Sequence, residues 1–310
     1  MATSKLETPA LTKLLLGMAC AYGRYSPVFK GKGRLCRVFA PLLDRVGSLQ
    51  TKSIYGTRFD LRFPDDRGYE CIHILGTYEA GTSKLVRRVL KSGDIALDVG
   101  ANIGWYTTLF AKCVAPDGIV HAFEPVPFLF EKLQRNCTLS NCESIVRLNK
   151  LALGRTNGTI RLFATKDEPH LNTSIFPEGE AANPPLEVPC ATLDEYCAQH
   201  MNKKAATLIK LDVEGAEPDV IDGAQSLLNS PHPPIWLCEF NRETARRGGF
   251  SPYAALERLA ERGYRFIRVK LGWRGIAPVR NLEECQHGDN VLCYIPKVHR
   301  DRLRGVVRED

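Results

Sequence analysis

A glycine-bearing turn with a carboxylate is the first feature of this chain that can do chemistry. It follows an apolar run at residues 95–99 and reads Asp98-Val99-Gly100-Ala101-Asn102-Ile103-Gly104. In open α/β sheets, ligands bind beyond the carboxyl ends of the strands. Gly100 lets the chain turn and approach a ligand closely, and Gly104 lets the next helix start against the strand. Because Asp98 can accept hydrogen bonds from a cationic amino group, the turn predicts a ligand site.

A second carboxylate, Glu124, ends the next predicted strand, twenty residues after Gly104. A carboxylate there can hold the ribose hydroxyls of an adenosine cofactor, as it does in NAD sites. The turn distinguishes the cofactors, because a dinucleotide site requires G-x-G-x-x-G to admit a pyrophosphate. Here Asp98 and Asn102 occupy the turn, and a carboxylate repels a pyrophosphate but attracts a sulfonium and an ammonium. We therefore predict S-adenosylmethionine, the alternative being a tight strand–helix turn that binds nothing.

An acidic turn follows the fourth core strand, at the same edge of the predicted sheet. It is preceded by Lys210 and reads Asp212-Val213-Glu214-Gly215-Ala216-Glu217. Crowded carboxylates raise one another's pKa, which suits proton abstraction, although Glu217 can simply favour the N-terminus of its helix. Glu239 ends the following strand. It is either a further candidate for substrate binding or base catalysis, or a buried carboxylate bonded to loop backbone.

The predicted cofactor carries an electrophilic methyl group, so the expected reaction is methyl transfer. A hydroxyl acceptor must lose its proton during attack, and Asp212, Glu214 or Glu239 can accept that proton as general base. A divalent metal held by the same carboxylates, magnesium or calcium, can instead acidify the hydroxyl. The sequence leaves both routes open. A neutral amine needs no base, so N-methyl transfer is a further alternative.

Strands and helices alternate through the centre of the chain and must position these turns. Strands are predicted at residues 95–99, 119–123, 145–148, 207–211 and 235–240. Helices are predicted at about 103–115, 128–139 and 216–228. Strands that are apolar on both faces indicate a mostly parallel sheet covered by helices, which is a doubly wound α/β fold.

The first fifty residues have a different character. They carry eight Lys or Arg residues against two acidic ones, in a chain whose net charge is +7. Leu11, Leu14, Leu15 and Met18 recur at helical spacing, which predicts a packing face. A helix lying on an anionic membrane surface is the less favoured alternative.

The eleven cysteines are odd in number and include no C-x-x-C pair, so neither a disulfide framework nor a zinc site is predicted. A reducing cytoplasm is therefore the expected compartment. A secretory signal is not expected, because the apolar stretch begins late behind a weak basic flank that contains Glu7.

Together these motifs resemble the FkbM-type family of S-adenosylmethionine-dependent methyltransferases. Order and spacing agree from about residue 54 to 295, and the first fifty residues lie outside the resemblance. The elements that carry it are Tyr55-Gly56, Gly76-Thr77-Tyr78-Glu79, the turn at 98–104, Phe123-Glu124-Pro125, Asn136, Ala152-Leu153-Gly154, Thr192-Leu193-Asp194 and Lys210-Leu211-Asp212-Val213-Glu214-Gly215-Ala216-Glu217.

The resemblance implies a class I methyltransferase fold, which is a Rossmann-like doubly wound sheet of seven mostly parallel strands with an antiparallel last strand. It also implies a methyl acceptor that is usually a hydroxyl. It places Ala152 near the adenine and Asp212 near the reacting methyl group. The predicted cofactor-binding residues are Glu79, Asp98, Gly100, Asn102, Gly104, Glu124, Ala152 and Asp212.

Four segments are expected along the chain: a basic helical extension at 1–50, strands and a helix at 51–92, the S-adenosylmethionine-binding domain at 93–296, and a charged tail at 297–310. The expected function is methyl transfer to a hydroxyl of a saccharide, glycan or other small metabolite. The alternatives are N-methyl transfer and a non-catalytic binding or membrane-associated module that retains the fold. Nucleic acid is not an expected partner, whereas peripheral membrane contact through residues 1–50 remains open.

Overall fold

The computed structural model describes residues 10–26, 31–164, 173–175, 185–202, 204–269 and 275–307. The chain forms two compact units, Met1–Tyr78 and Glu79–Asp310. The four segments expected from the sequence, with their boundaries at residues 50, 92 and 296, stay a prediction.

The first unit contains three helices and a hairpin. Its elements are α1 (Ala10–Tyr25), α2 (Lys32–Val46), β1 (Ser48–Lys52), β2 (Arg58–Arg62) and α3 (Glu70–Ile74). The strands β1 and β2 pair in antiparallel register, with Ser48 opposite Arg62. The helix expected from the apolar periodicity at residues 11–18 is therefore present, as α1.

The packing face predicted for α1 is wrong, because Leu11, Leu14 and Met18 are exposed. The buried positions are instead Thr12, Leu16, Ala19 and Gly23. Gly23 explains the rotation of the helix: a Cβ atom added there would lie 2.6 Å from the carbonyl oxygen of Ile74. The small residues Ala19 and Gly23 allow close packing inside this unit, and Leu11, Leu14 and Met18 face outward.

Within the described residues, the second unit contains the remaining twelve strands. They are β3 (Ile95–Val99), β4 (Ile119–Phe123), β5 (Val146–Asn149), β6 (Ala152–Leu153), β7 (Gly158–Ala164), β8 (Thr173–Ser174), β9 (Leu186–Ala191), β10 (Leu208–Leu211), β11 (Ile235–Phe240), β12 (Arg265–Val269), β13 (Ile276–Val279) and β14 (Asp289–Tyr294).

The helices of the second unit lie between these strands. They are α4 (Ala80–Val89), α5 (Trp105–Val114), α6 (Pro127–Leu139), α7 (Leu193–His200), α8 (Glu217–Asp222), α9 (Gln225–Leu228), α10 (Arg242–Gly248), α11 (Ala254–Ala260) and α12 (Pro296–His299), with a 3-10 helix at Leu282–Glu284. Among the helices that the structure describes, none is long and apolar enough to cross a bilayer.

The main sheet confirms the predicted fold class. Its strand order is β13-β12-β14-β11-β10-β3-β4-β5. The strands β11, β10, β3, β4 and β5 pair in parallel, and β14 runs antiparallel between β11 and β12. The antiparallel last strand of a class I methyltransferase sheet is thus present, and β13 adds an eighth strand at the edge. All five residues of β3 are buried, as expected for a strand covered on both faces.

A second, four-stranded sheet follows β5, in the order β6-β9-β7-β8. In a further departure from the sequence prediction, the single helix expected at 216–228 is divided into α8 and α9. The division falls at Gly223, where an added Cβ atom would lie 2.1 Å from the carbonyl oxygen of Gly154. This close approach of two backbone segments requires glycine, which disfavours a continuous helix.

Candidate active site

The carboxyl ends of β3 and β10 bring the two predicted turns together. The strands pair in parallel, with Asp98 opposite Lys210 and Val99 opposite Leu211. Paired residues of neighbouring strands point to the same face of a sheet. The acidic side chain of Asp98 and the ammonium group of Lys210 therefore share one face, directly before the glycine-bearing turn and the acidic turn.

Gly100 is required by the approach of these two turns. Its φ is +82°, and an added Cβ atom would lie 1.8 Å from the carbonyl oxygen of Asp212. Its backbone N–H donates to the carbonyl oxygen of Phe123 at 3.1 Å, which ties the turn to the end of β4. The backbone of Asp212 thus fills the space that a side chain at residue 100 would need. Contact of Gly100 with a ligand stays a prediction.

The other end of the turn packs against α6. Gly104, at φ +88°, begins α5, and an added Cβ atom there would lie 2.6 Å from Leu133 Cδ1. Asn102 has a φ of +51°, a conformation that costs free energy in a non-glycine residue. Its backbone N–H is held by Glu124, whose carboxylate explains the conformation of the turn.

Glu124 is buried at the end of β4. Its Oε2 atom accepts a 2.8 Å hydrogen bond from the N–H of Asn102, and its Oε1 atom accepts one of 2.9 Å from the N–H of Val126. Burial raises the pKa of Glu124 to about 7, against these two hydrogen bonds. Each carboxylate oxygen offers two lone pairs, so both retain capacity for a ribose hydroxyl.

Asp98 is buried beneath the turn. Thr107 Oγ1 donates to its Oδ2 atom at 2.5 Å. Burial raises the pKa of Asp98 to about 6, although the nearby charge of Lys210 acts in the opposite direction. Asp98 thus joins β3 to the first turn of α5 and adds negative charge beneath the glycine-bearing turn.

Lys210 carries a positive charge at the centre of the site. It is 1% exposed, donates to Asp212 Oδ2 at 2.6 Å, and lies 4.8 Å above the ring of Tyr106. Burial alone would lower the pKa of Lys210, but the carboxylates around it, Asp212 first among them, raise it above its ordinary value. The sequence analysis gave Lys210 no role, although a charge within a strand buried on both faces requires partners.

Glu79 enters the site from the start of α4. Tyr106 donates to its Oε2 atom at 2.5 Å, and Asn290 Nδ2 donates to the same oxygen at 2.8 Å. Burial raises the pKa of Glu79, opposed by Lys210. The Oδ1 atom of Asn290 is buried and has no hydrogen-bond partner among the described residues. The sequence analysis missed Tyr106 and Asn290 as site residues.

Three carboxyl groups form a cluster beside Lys210. Oxygen atoms of Asp212, Glu214 and Glu239 lie within 4.8 Å of one another. The charge of Asp212, then burial and a hydrogen bond to Asp212, raise the pKa of Glu239 well above its ordinary value. Glu239 therefore holds its proton more strongly than an ordinary glutamic acid. It is the candidate predicted at the end of β11.

The pKa values of Asp212 and Glu214 shift in opposite directions. Burial alone would raise the pKa of Asp212, but Lys210 and the hydrogen bonds from Glu239 and Lys210 hold it below its ordinary value. Burial, followed by the charges of Asp212 and Glu217, raises the pKa of Glu214 to about 8. Asn241 Nδ2 donates to Glu214 Oε2 at 3.0 Å. The cluster thus combines one carboxylate whose pKa is lowered, Asp212, with two carboxyl groups whose pKa values are raised.

Two further residues lie apart from this cluster. Glu217 lies at the start of α8 and accepts 3.0 Å hydrogen bonds from the backbone N–H groups of Val213 and Gly215. These contacts agree with the alternative in which Glu217 stabilises the N-terminus of its helix. Ala152 lies on β6, opposite Cys190, in the small core of the four-stranded sheet. The described contacts do not join Ala152 to the other predicted cofactor residues.

The polar side-chain atoms of this site fit S-adenosylmethionine. Glu79 and Asp98 present anionic groups, the buried Oδ1 atom of Asn290 presents an acceptor without a partner, and Glu124 presents acceptors at the end of β4. An ammonium, a sulfonium and a ribose diol need such partners. For a divalent metal the cluster fits less well, because the ammonium group of Lys210 already pairs with Asp212.

Comparison with known proteins adds independent information. Residues 98–266, more than half of the chain, match the Methyltransferase FkbM domain. Methyltransferase 1 of Beauveria bassiana (strain ARSEF 2860) is 31% identical over 144 residues, which cover 41% of this chain and 57% of that protein. The 31-O-demethyl-FK506 methyltransferase FkbM of Streptomyces tacrolimicus is 28% identical over 165 residues, which cover 44% and 61%. The chain thus spans less than two thirds of the length of these relatives.

Among solved structures, the chain is similar to methyltransferase FkbM from Methylobacillus flagellatus KT. The two are 16% identical with a TM-score of 0.40, and the match covers 73% of this chain and 52% of the other.

Proposed function

Because the chain belongs to the Methyltransferase FkbM domain family, we propose that it transfers a methyl group from S-adenosylmethionine to an oxygen of a hydroxylated acceptor. The observation that carries the proposal is the cluster of Asp212, Glu214 and Glu239 beside the glycine-bearing turn. A hydroxyl group must lose a proton when it is methylated, and a carboxylate with a pKa near the working pH is suited to accept it.

The donor is assigned to the carboxyl ends of β3, β4 and β10. When bound, S-adenosylmethionine supplies an electrophilic methyl group attached to a sulfonium. Glu124 would bind the ribose hydroxyls, and Glu79 with Asn290 Oδ1 would bind the ammonium group. Asp212, which Lys210 keeps ionised, would face the sulfonium as a fixed negative charge. A preorganised charge of this kind needs no rearrangement during the reaction.

The three carboxyl groups divide the remaining work. Glu214, whose pKa is raised to about 8, is the general base that takes the proton of the acceptor hydroxyl. Glu239, whose pKa is raised well above its ordinary value, donates a hydrogen bond to Asp212 and keeps that carboxylate in place. Carboxyl groups whose environments separate their pKa values are a common way to assign acid and base roles within one site.

The acceptor is proposed to be a saccharide, a glycan or another hydroxylated small molecule. One support is the relative from Streptomyces tacrolimicus, which is a 31-O-demethyl-FK506 methyltransferase by name. A second support is the acidic lining of the site, since carboxylates accept hydrogen bonds from hydroxyl groups. The compartment proposed is the cytoplasm, which agrees with eleven free cysteines, all of them in described parts of the chain.

The test begins with calorimetry on the full chain. S-adenosylhomocysteine is expected to bind and NAD is not; the reverse result would overturn the donor assignment. Turnover is then measured with methyl-labelled S-adenosylmethionine and a panel of saccharides, other alcohols and amines. Label is expected on an alcohol oxygen.

Variants of the cluster separate the chemical alternatives. Glu214→Gln is expected to slow transfer while S-adenosylhomocysteine still binds, and Glu243→Gln, on exposed α10, is the matched control. Label on an amine, with no effect of Asp212, Glu214 or Glu239 substitution, would indicate N-methyl transfer instead. Loss of turnover after treatment with a chelator, restored by magnesium or calcium, would favour the metal route over the general base.

A further inference from the structure

Helix α1 presents a row of large apolar side chains to solvent. Leu11, Leu14, Met18, Tyr22 and Tyr25 follow one another at intervals of three or four residues and are 47% to 84% exposed. Residues at this spacing lie on one side of a helix. Single exposed apolar residues are ordinary on protein surfaces, whereas a continuous row along a helix marks an interaction surface. We call this row the apolar row of α1.

The row is not the packing face of the helix. The helix buries four other residues, Thr12, Leu16, Ala19 and Gly23. The helix is therefore apolar on two sides, one of which packs within the first unit. A surface helix of a protein that binds nothing would carry polar side chains on its outer side.

The exposed charged residues of α1 and α2 have one sign. Within these two helices, both of which are fully described, they are Lys13, Arg34, Arg37 and Arg45. The one acidic residue of these helices, Asp44, pairs with Arg67. Val38 is a further exposed apolar residue on α2. The exposed residues of the helix pair are therefore mainly apolar and basic.

Two other basic side chains stabilise the fold of the first unit. Lys32 Nζ donates to the carbonyl oxygen of Gly23 at 2.7 Å, and Arg24 Nη2 donates to that of His73 at 2.6 Å. These bonds fix α1 against α2 and α3. Lys13, Arg34, Arg37 and Arg45 make no side-chain hydrogen bond or ion pair to any other residue that the structure describes, so they can contact an anionic partner.

We propose that α1 is a membrane-surface helix, which lies flat on an anionic phospholipid bilayer with its apolar row inserted at the level of the headgroups. With 16 residues, α1 is about 24 Å long and suits an orientation in the plane of the membrane. Tyr22 and Tyr25 have an apolar ring and a polar hydroxyl, a combination enriched at membrane interfaces. Arg34 and Arg37 of α2 contact the lipid phosphates.

The positive charge of this surface favours an anionic bilayer over a second copy of the chain as its partner. A symmetric dimer through the apolar row would bring the same basic residues of both copies together, and like charges repel. An anionic lipid surface attracts all of them at once. The surface thus fits a bilayer that contains acidic phospholipid.

The experiment is flotation of the full chain with lipid vesicles. Vesicles of phosphatidylcholine alone are compared with vesicles that also contain phosphatidylserine, at low and high salt. The wild-type protein is expected to float with the anionic vesicles, and less of it at high salt because the charges are screened. The Leu14→Asp/Met18→Asp double variant is expected to lower the bound fraction by about tenfold, since it removes apolar insertion and adds negative charge.

A matched control makes the same chemical change elsewhere. Ile276→Asp/Val298→Asp also places two aspartates at exposed apolar positions, in β13 and α12, and is expected to float like the wild type. Circular dichroism confirms that both double variants fold. Flotation that is unaffected by Leu14→Asp/Met18→Asp, or equal on neutral and anionic vesicles, would overturn the proposal. So would a dimer in light scattering that this variant dissociates, without any flotation of the wild type.

Discussion

Buried Lys210 and partly exposed Asp212 form an ion pair at the end of β10, with 2.6 Å between Nζ and Oδ2. The pair places one cation among the carboxyl groups of Asp212, Glu79, Asp98 and Glu239. The site thus places more carboxyl groups than ammonium groups where a cationic donor would bind, and Lys210 offsets part of their charge. The expected stability and donor binding of this protein depend on the balance between the charge of Lys210 and the charges of these carboxyl groups.

Replacing Lys210 tests the balance directly. Lys210→Met is expected to destabilise the protein by about 3–5 kcal/mol, because it leaves a buried carboxylate without its partner. Urea denaturation at pH 7 measures this difference. Lys112→Met, at an exposed position of α5, should stay within about 0.5 kcal/mol of the wild type. Equal stability of the two variants would show that Lys210 does not neutralise the site.

The pH dependence of turnover tests the role of Glu214. A general base must be deprotonated, so kcat/KM is expected to rise with pH through an apparent pKa of about 8. In the profile of kcat the midpoint should be lower, since a bound cation favours the carboxylate. Glu214→Gln should lower kcat by roughly 100-fold or more and remove this limb, whereas Glu243→Gln should retain it. If the pH profile of turnover is the same in Glu214→Gln as in the wild type, another group accepts the proton.

Glu124 is expected to make the protein less stable as the pH rises. Its folded-state pKa is raised from an ordinary value of 4.5 to about 7, so its stabilising contribution is complete below pH 4.5 and is lost as the pH rises through 7. The loss amounts to about 3 kcal/mol. Urea denaturation at pH 5 and pH 8 should show a smaller difference for Glu124→Gln than for the wild type. The exposed Glu131→Gln on α6 is the control, and a pH dependence identical in all three proteins contradicts the assignment.

Two glycines with similar backbone conformations provide a matched test of the donor turn. Gly100 and Gly93 have φ values of +82° and +84°, but an added Cβ atom meets Asp212 only at Gly100 and has open space at Gly93. Gly93→Ala should cost about 1 kcal/mol, the price of a left-handed conformation. Gly100→Ala should cost more in thermal denaturation and abolish binding of S-adenosylhomocysteine in calorimetry. Normal binding by Gly100→Ala would show that the approach of the two turns is not required.

The charge of Asp212 should distinguish the donor from its product. S-adenosylmethionine carries a sulfonium and S-adenosylhomocysteine does not, so Asp212→Asn is expected to weaken binding of the first by about tenfold more than binding of the second. Calorimetry with both ligands gives the ratio, and Asp117→Asn, at an exposed position, should leave it unchanged. The same ratio in wild type and Asp212→Asn would remove Asp212 from the surroundings of the sulfonium.

Local sequence signals were sufficient to predict part of this site. Asp98, Gly100 and Glu124 follow short apolar strands, and parallel strands bring their carboxyl ends to one edge. The family resemblance placed Glu79 in the same group. These predictions depend on the order of residues near strand ends, and strand ends are visible in a single sequence.

The remaining features depend on tertiary contacts that periodicity does not encode. Tyr106 reaches Glu79 because of the rotation of α5, and Asn290 does so because β14 enters the sheet antiparallel, beside β11. The stripe of Leu11, Leu14 and Met18 indicated a helix, but whether a stripe is covered depends on what packs against it. The eighth strand, β13, likewise has no counterpart in the family pattern of seven.

The hydrogen bond between Glu79 and Asn290 also has a consequence for biosynthesis. The two residues are 211 positions apart in the chain, and the ribosome makes the first of them long before the second. Until residue 290 has been synthesised, the amide that orients Glu79 does not yet exist. Premature termination shortly before residue 290 therefore yields a polypeptide that has most of its strands but an incomplete pocket.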